Sequence, residues 1–384
     1  MASRIVPFAP EHVPAVQAFN RRLAAAGAPW RFPENAVPDW LPHAGGAPVW
    51  QEYFLLLEDG IVRGANALKR QDAAVGGAHA RVATFYWPIS EGAINPAYAL
   101  VATRLLRAAV AQEPLLFLVG IGGPETPVAR LIRAFGWRIA QVPLYFKPLR
   151  PARFLRGVRY MRHRPVVGGL LNLAAATGTG WLGLKALGLA LSRFSRRDRS
   201  VRTDVVEQFG DWADVIWAAS ASAYSFVGGR NAATLNATYP PHRPTFGRLR
   251  VSRGATTIGW AVIEDVPAPT EHFGDLRVGA IVDSLALPEH AKAVTRAAAE
   301  ALADRGMDVI VANQSHPAWR RALAAAGFLP GPASWGFAAS PALARLIDAA
   351  DPEGQGLHLN RGDGDGPWGM LLDSAPAARS RAAG

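Results

Sequence analysis

The sequence predicts an α/β protein with mixed sheets, built from two copies of one unit and joined by a basic, apolar helical linker. Three observations lead there. Short β-branched runs alternate with helix-forming stretches throughout the chain. Landmarks recur at a steady interval: Gly60 and Gly254, Ser90 and Ser284, and Gly136 and Gly327 lie 194, 194 and 191 residues apart. Such a repeat at about half the chain length marks duplication of a domain. Finally, the charge is segregated. Arg150–Arg202 holds twelve Lys and Arg against one acid, Asp198, a surplus of +11 that equals the formal charge of all 384 residues. The two flanking halves therefore sum to zero. The boundaries that follow are 1–150, 151–200, 201–345 and a tail, 346–384.

In the first copy, Ser3–Phe8 reads as a strand. Pro10-Glu11 opens a helix with Val13, Val16, Phe19 and Leu23 on one face, and Gly27 ends it. Pro29–Pro48 has too many prolines and glycines for regular structure. Its Trp30, Phe32 and Trp40 either pack beneath the loop or line a cleft. Tyr53–Leu57 and Val62–Lys69 form a hairpin around Asp59-Gly60. Strand Arg81–Ile89, helix Tyr98–Ala111, strand Leu115–Val119, helix Pro127–Phe135 and closing strand Pro143–Lys147 complete it.

The second copy repeats this order. It has strand Asp204–Phe209, helix Asp211–Ser220, an insertion over Tyr224–Pro244, and a hairpin of Leu249–Ser252 with Thr257–Glu264. Strand Gly279–Leu287, helix Ala293–Ala303, strand Asp308–Ala312, helix Pro317–Ala326 and a last strand from Phe328 follow. Gly327 sits where a helix C-cap needs glycine.

Composition narrows the function. Zero cysteines exclude disulfides and thiolate chemistry, and nine scattered His argue against zinc. No metal is expected. Met1–Phe8 lacks an apolar signal core, so the expected location is the cytoplasm. No nucleic-acid reader accompanies the basic linker. Pro165–Leu184 is twenty residues without a formal charge, diluted by five glycines and flanked by arginine on both sides. It spans a membrane, lies on an anionic surface such as the inner membrane, or packs across the two copies.

The order strand, helix, hairpin, strand, helix, strand, helix, strand, twice over, resembles a tandem arrangement of the GNAT superfamily of acyl-CoA-dependent N-acyltransferases. RFPE at Arg31–Glu34, LNATYP at Leu235–Pro240 and the HLNRGDGDGP tail resemble a bacterial two-domain subgroup often found with polysaccharide-biosynthesis genes. The resemblance implies acetyl-CoA or another acyl-CoA in a splay between the fourth and fifth strands, its pyrophosphate on the next helix N-terminus. It also implies an amine acceptor, either a small molecule or an amino sugar or polysaccharide precursor. Leu285, Leu287, Ala293, Val294 and Asn313 in the second copy, and Ala102 in the first, are the implied cofactor residues. The helix starts depart from the family pattern, since AYALVA (Ala97–Ala102) and HAKAVT (His290–Thr295) lack glycine. Ile132 and Leu323 stand where family members often carry a proton-donating tyrosine.

Asp283, a lone acid in an apolar strand, is either a general base or a satisfied core hydrogen-bonder. Glu91 is the equivalent candidate in the first copy. Arg230, Asn236, Tyr239, Gln314 and His316, with Arg31 and Glu34, are the candidate acceptor-binding residues, the last two from the loop motif. GDGDG in the tail lacks a downstream bidentate Glu and reads as a turn. Two other functions fit the same order: a non-catalytic scaffold on degenerate domains, and a FemAB-like aminoacyl transferase.

Overall fold

The computed structural model describes residues 3–28, 30–36, 41–42, 46–121, 127–151, 153–154, 198, 200–266 and 275–364. Trp40, Pro165–Leu184 and most of the arginine arms lie outside them. The first half contains β1 (Ser3–Pro7), α1 (Val13–Ala25), β2 (Val49–Glu58), β3 (Ile61–Val75), β4 (Ala78–Ser90), α2 (Val101–Gln112), β5 (Leu116–Val119), α3 (Pro127–Ala134) and β6 (Arg138–Pro148). The second contains β7 (Val201–Val206), α4 (Asp211–Ser220), β8 (Phe226–Gly228), α5 (Ala232–Thr238), β9 (Phe246–Arg253) and β10 (Thr256–Val266). It continues with β11 (Val278–Ala286), α6 (Ala291–Asp304), β12 (Val309–Asn313), α7 (Pro317–Ala325), β13 (Leu329–Ala339) and α8 (Pro341–Ala350).

The local expectations hold for specific reasons. Asp59 and Gly60 both adopt positive φ (49° and 79°), the backbone a two-residue hairpin turn requires. Val16, Phe19 and Leu23 of α1 are buried, and Gly27 ends the turn at φ 77°. Phe32 is fully buried against Phe8 and Tyr53, whereas Trp30 is 61% exposed, so the aromatic loop divides between core and surface.

The two halves share one sheet, in the order β1-β2-β3-β4-β5-β13-β6-β12-β11-β10-β9-β7. Each half's closing strand crosses over. β13 pairs antiparallel with β5 and β6, and β6 pairs antiparallel with β12. Strand β8, from the insertion, pairs with the far end of β3. Two of the linker's arginines, Arg150 and Arg153, reach the buried Asp308 at 3.2 and 2.9 Å, fastening the end of β6 to the start of β12.

Two parallel strand pairs separate in the same manner. In the first half, β4 and β5 pair only at Ala83–Leu116 and Thr84–Phe117. Just beyond, β4 bulges: Trp87 and Pro88 face the single residue Asn66 of β3, and Trp87 takes φ 44°. A bulky residue at positive φ is a local strain that the surrounding packing holds in place. In the second half, β11 and β12 pair from Val278–Val309 to Ile281–Ala312. There β11 bulges at Val282, between the residues paired with Val262 and Ile263.

Candidate functional site

The second splay is filled by the chain's own C-terminal segment, residues 357–364, here called the strap. Gln314 forms an antiparallel bridge with Asn360, and the Gln314 side-chain amide donates to Asn360 Oδ1 at 2.7 Å. His358 Nε2 lies 2.8 Å from the Ser284 carbonyl of β11, and Asn360 Nδ2 donates to the same carbonyl at 3.2 Å. The cavity left among Ser284, Asn313, Gln314, Trp319 and Asn360 is about 10 Å³, space for no more than a water.

The strap is latched by a buried ion cluster. Arg230 donates from Nε to Asp283 Oδ1 at 3.0 Å, from Nη2 to Asp363 Oδ2 at 2.7 Å and from Nη1 to the Gly228 carbonyl at 2.9 Å. Asp283 also accepts from Tyr239 Oη (2.9 Å), Asn360 Nδ2 (2.8 Å) and the Ser284 amide (2.8 Å). Burial pushes the Asp283 carboxyl up, against the pull of Arg230. Burial opposes the charge on Arg230 too, but Asp283 and Asp363 outweigh it and keep the guanidinium protonated. Burial likewise raises the Tyr239 hydroxyl. Each oxygen of Asp283 is already engaged, which is the geometry of a satisfied core group.

Glu91 is also engaged. It accepts from Arg22 Nε at 2.8 Å and Arg63 Nη1 at 3.0 Å. Burial works to raise its carboxyl, yet Arg22 and Arg63 prevail and hold it below the usual range. A carboxylate tied to two guanidinium groups is a weak proton acceptor.

The remaining candidates mostly fasten elements together. Arg31 donates to the Ala28 and Trp30 carbonyls, and Glu34 accepts from Asn20 at 3.0 Å, so RFPE pins its loop to the end of α1. Both also border a shallow cleft of about 390 Å³ beside Gln17 and Arg21. Asn236 clamps both backbone groups of Phe209, at 2.9 and 2.8 Å, which explains the asparagine of LNATYP. Leu285 and Val294 are core residues, and Leu287 precedes the short turn that leads into α6. Ala293 lines a surface groove of about 780 Å³ between α6 and β7. Asn313 ends β12, buried, its Nδ2 3.5 Å from the Val142 carbonyl. Ala102 is half-buried in the first turn of α2.

His316 caps α7, its Nδ1 accepting from the Ala318 amide at 3.2 Å. It packs with Tyr224, Trp319 and His358 in one aromatic cluster. Burial depresses His316 to about 4 and holds His358 low as well. Between the ordinary 6.5 and 4, the unfolded chain binds protons there that the folded chain refuses, so stability falls as pH drops through that window. We expect calorimetric melting to decline from pH 6.5 to pH 4. His316→Asn keeps the cap and should flatten part of that decline relative to the parent; an unchanged slope would contradict the assignment.

On the first splay, the sheet face under α1 carries a row of polar groups. Gln51, Lys69 and Thr84 lie directly opposite one another across β2, β3 and β4. Two residues along, on the same face, are Tyr53 and Tyr86. The Lys69 ammonium lies 5.3 Å from the centre of the Tyr86 ring, and Tyr86 Oη donates to the Gly364 carbonyl of the strap. The opposite face carries Asn66, whose buried Nδ2 has no partner beside the Trp87 bulge. Strand alternation exposes such rows only once the pairing is known.

Among the described residues, no group of three or more His, Asp or Glu is placed to hold a metal ion, and no helix is long and apolar enough to cross a membrane. No protein-family model matches the sequence, and no curated protein matches it. Solved structures do match in shape. Saccharomyces cerevisiae N-myristoyltransferase, with bound myristoyl-CoA and inhibitors, superposes with a TM-score of 0.51 at 10% identity, over 88% of this chain and 80% of that one. A second structure of that enzyme with myristoyl-CoA gives 0.51 at 12% identity, over 88% and 78%. A GCN5-related N-acetyltransferase from Anabaena variabilis gives 0.50 at 11% identity, over 88% and 72%. The fold is the GNAT fold. Its tandem form is visible in the chain itself, where the same order of elements and the same bulged splay occur twice.

Proposed function

We propose that the protein is an acyl-CoA-dependent N-acyltransferase whose single working site is the splay of the first copy. The observation that carries this is the contrast between the two splays. β4 and β5 part after two pairs beside a bulge, whereas the equivalent opening of the second copy is occupied by the strap. The GNAT-fold structure of the yeast enzyme was solved with myristoyl-CoA, which supports an acyl-CoA as co-substrate.

In this reading the free amides in the first turn of α2, around Ala102, take the pyrophosphate; they lack intrahelical partners and lie at the positive end of the dipole. The backbone of β4 at Trp87 polarises the thioester carbonyl, with Asn66 Nδ2 alongside. The acceptor enters on the α1 face. Its neutral amine attacks the carbonyl carbon, the C–S bond breaks, and CoA leaves as the thiolate. The proton shed by the nitrogen passes through solvent to the thiolate. Holding both substrates in one slot supplies much of the acceleration. Asp283 and Glu91 take no part as bases, because guanidinium groups already hold them. An amino sugar or polysaccharide precursor is the proposed acceptor class.

A second reading is favoured by the glycine-free starts of α2 and α6, namely a scaffold with no cofactor. Isothermal calorimetry with acetyl-CoA and longer acyl-CoAs separates the two. The transferase reading expects one equivalent bound per chain at micromolar affinity, roughly 8 kcal/mol. No heat with any acyl-CoA leaves the scaffold.

A further inference from the structure

We infer that the groove between α6 and β7 is the seat of the uncharged linker stretch, Pro165–Leu184, which docks there on the second copy alone.

The groove measures about 780 Å³ and follows α6 from Glu289, just before it, to Arg305, just after it. Val205 of β7, Leu249 of β9, and Ala297 and Ala301 of α6 supply its apolar lining. Val205 is 73% exposed, the most of any large apolar side chain among the described residues. β7 is also an outer strand of the sheet, an edge that folded proteins ordinarily cover or charge. Ala297 and Ala301 lie one helical turn apart on one face, and their small side chains leave room for a second element to approach. The groove's arginines already have carboxylates: Arg253 meets Asp198 at 3.4 Å, Arg296 meets Glu300 at 3.1 Å and Arg305 meets Asp265 at 3.2 Å. The opening therefore suits an apolar segment better than an anion.

The course of the chain says which segment. Residues 155–197 lie outside the described residues, and they connect the two ends of the groove. The departing end is held beyond the C-terminus of α6, where Arg150 and Arg153 bind Asp308. The returning end, Asp198 and Val201, lines the groove itself. It stands level with the start of α6. Val201 pairs with Arg253, and two residues back along β9 Val251 pairs with Gly259, which lies against Val294. At the other end of β9, Gly247 lies against Arg305. The 14 residues of α6 extend about 21 Å, a length that about seven extended residues would cross. The chain spends 43 residues on it, and twenty of them, Pro165–Leu184, carry no formal charge. Taking that stretch and Val205 out of water together is favourable. Charge matches at both ends. Arg156, Arg159, Arg162 and Arg164 follow the departing end in sequence, where Asp304 is exposed. Lys185, Arg193, Arg196 and Arg197 precede the returning end, where Glu289 is exposed.

The chain has no cysteine, so introduced pairs report contact without interference. The test oxidises full-length double variants. Each carries Leu171→Cys, Ala176→Cys or Leu182→Cys, combined with Ala301→Cys in the groove or with Val215→Cys, which is exposed on α4 outside it. At least one linker position should form a within-chain disulfide with the Ala301→Cys partner about tenfold faster than any does with the Val215→Cys partner. Val205→Glu places a charge in the groove at a position the core does not use. It should slow that disulfide about tenfold and speed tryptic cleavage at the linker's arginines by a similar factor, with the circular dichroism of the parent retained. Equal rates with the two partners overturn the inference, and so does cleavage that Val205→Glu leaves unchanged. Disulfides formed mainly between chains would assign the groove to a second copy and overturn it. So would flotation of the protein with phosphatidylserine vesicles accompanied by loss of the within-chain disulfide, which would assign the stretch to a membrane surface.

Discussion

Arg230→Met is expected to destabilise the protein by about 3–5 kcal/mol, the range seen when one partner of a buried ion pair is removed. The loss is large because the guanidinium serves two carboxylates at once. Asp283 and Asp363 are each nearly inaccessible, and both reach Arg230 within 3.0 Å. Without it, two like charges share a site that water does not enter, so one or both carboxyls must take up a proton or the strap must leave the splay. Total stabilities of domains are of order 5–15 kcal/mol, so this single change removes a large share. Neutralising the carboxylates should reverse most of it: Arg230→Met combined with Asp283→Asn and Asp363→Asn keeps the shapes and removes the charge. Urea unfolding of the parent, the single variant and the triple variant checks the point. A single variant within about 1 kcal/mol of the parent would mean that the cluster does not hold the strap.

The same cluster shows where sequence reasoning reaches and where it stops. Local rules located the hairpin at Asp59-Gly60, the helix Asp211–Ser220 and the alternating order of both halves, because turn chemistry and periodicity are written in neighbouring residues. Asp283 was recognisable as anomalous, and of its two readings the satisfied hydrogen-bonder agrees with the geometry. What satisfies it was not legible. Arg230 is 53 residues away, Asn360 is 77 away, and the strap, residues 357–364, carries no periodicity to mark it. The exchange of β6 and β13 is equally silent, since either strand would read the same in its own half. Helix α8, Pro341–Ala350, fell across the expected boundary at 345 and was not singled out. RFPE and LNATYP were noticed as motifs, but their work is to anchor a loop and a helix, which only the partners reveal.

The second large effect concerns the cofactor. Ala102 is the second residue of α2 and Ala293 the third of α6, so both lie in the first turn of the helix that follows a bulged strand. A glutamate in the first turn of a helix suits the dipole, so neither change should harm folding. At Ala102 the new carboxylate would stand where the pyrophosphate is proposed to bind, repelling it and competing for the same amides. A loss of tenfold to a hundredfold in affinity, about 1.4–2.7 kcal/mol, is expected. At Ala293 the neighbouring splay is filled by the strap, so no loss is expected.

Calorimetric titration of acyl-CoA into the parent, Ala102→Glu and Ala293→Glu therefore bears most directly on the claim that one copy works and the other is plugged. The expected result is one equivalent per chain in the parent, affinity cut at least tenfold by Ala102→Glu, and both stoichiometry and affinity unchanged by Ala293→Glu. Two equivalents per chain, or an affinity that falls with Ala293→Glu and not with Ala102→Glu, would contradict it.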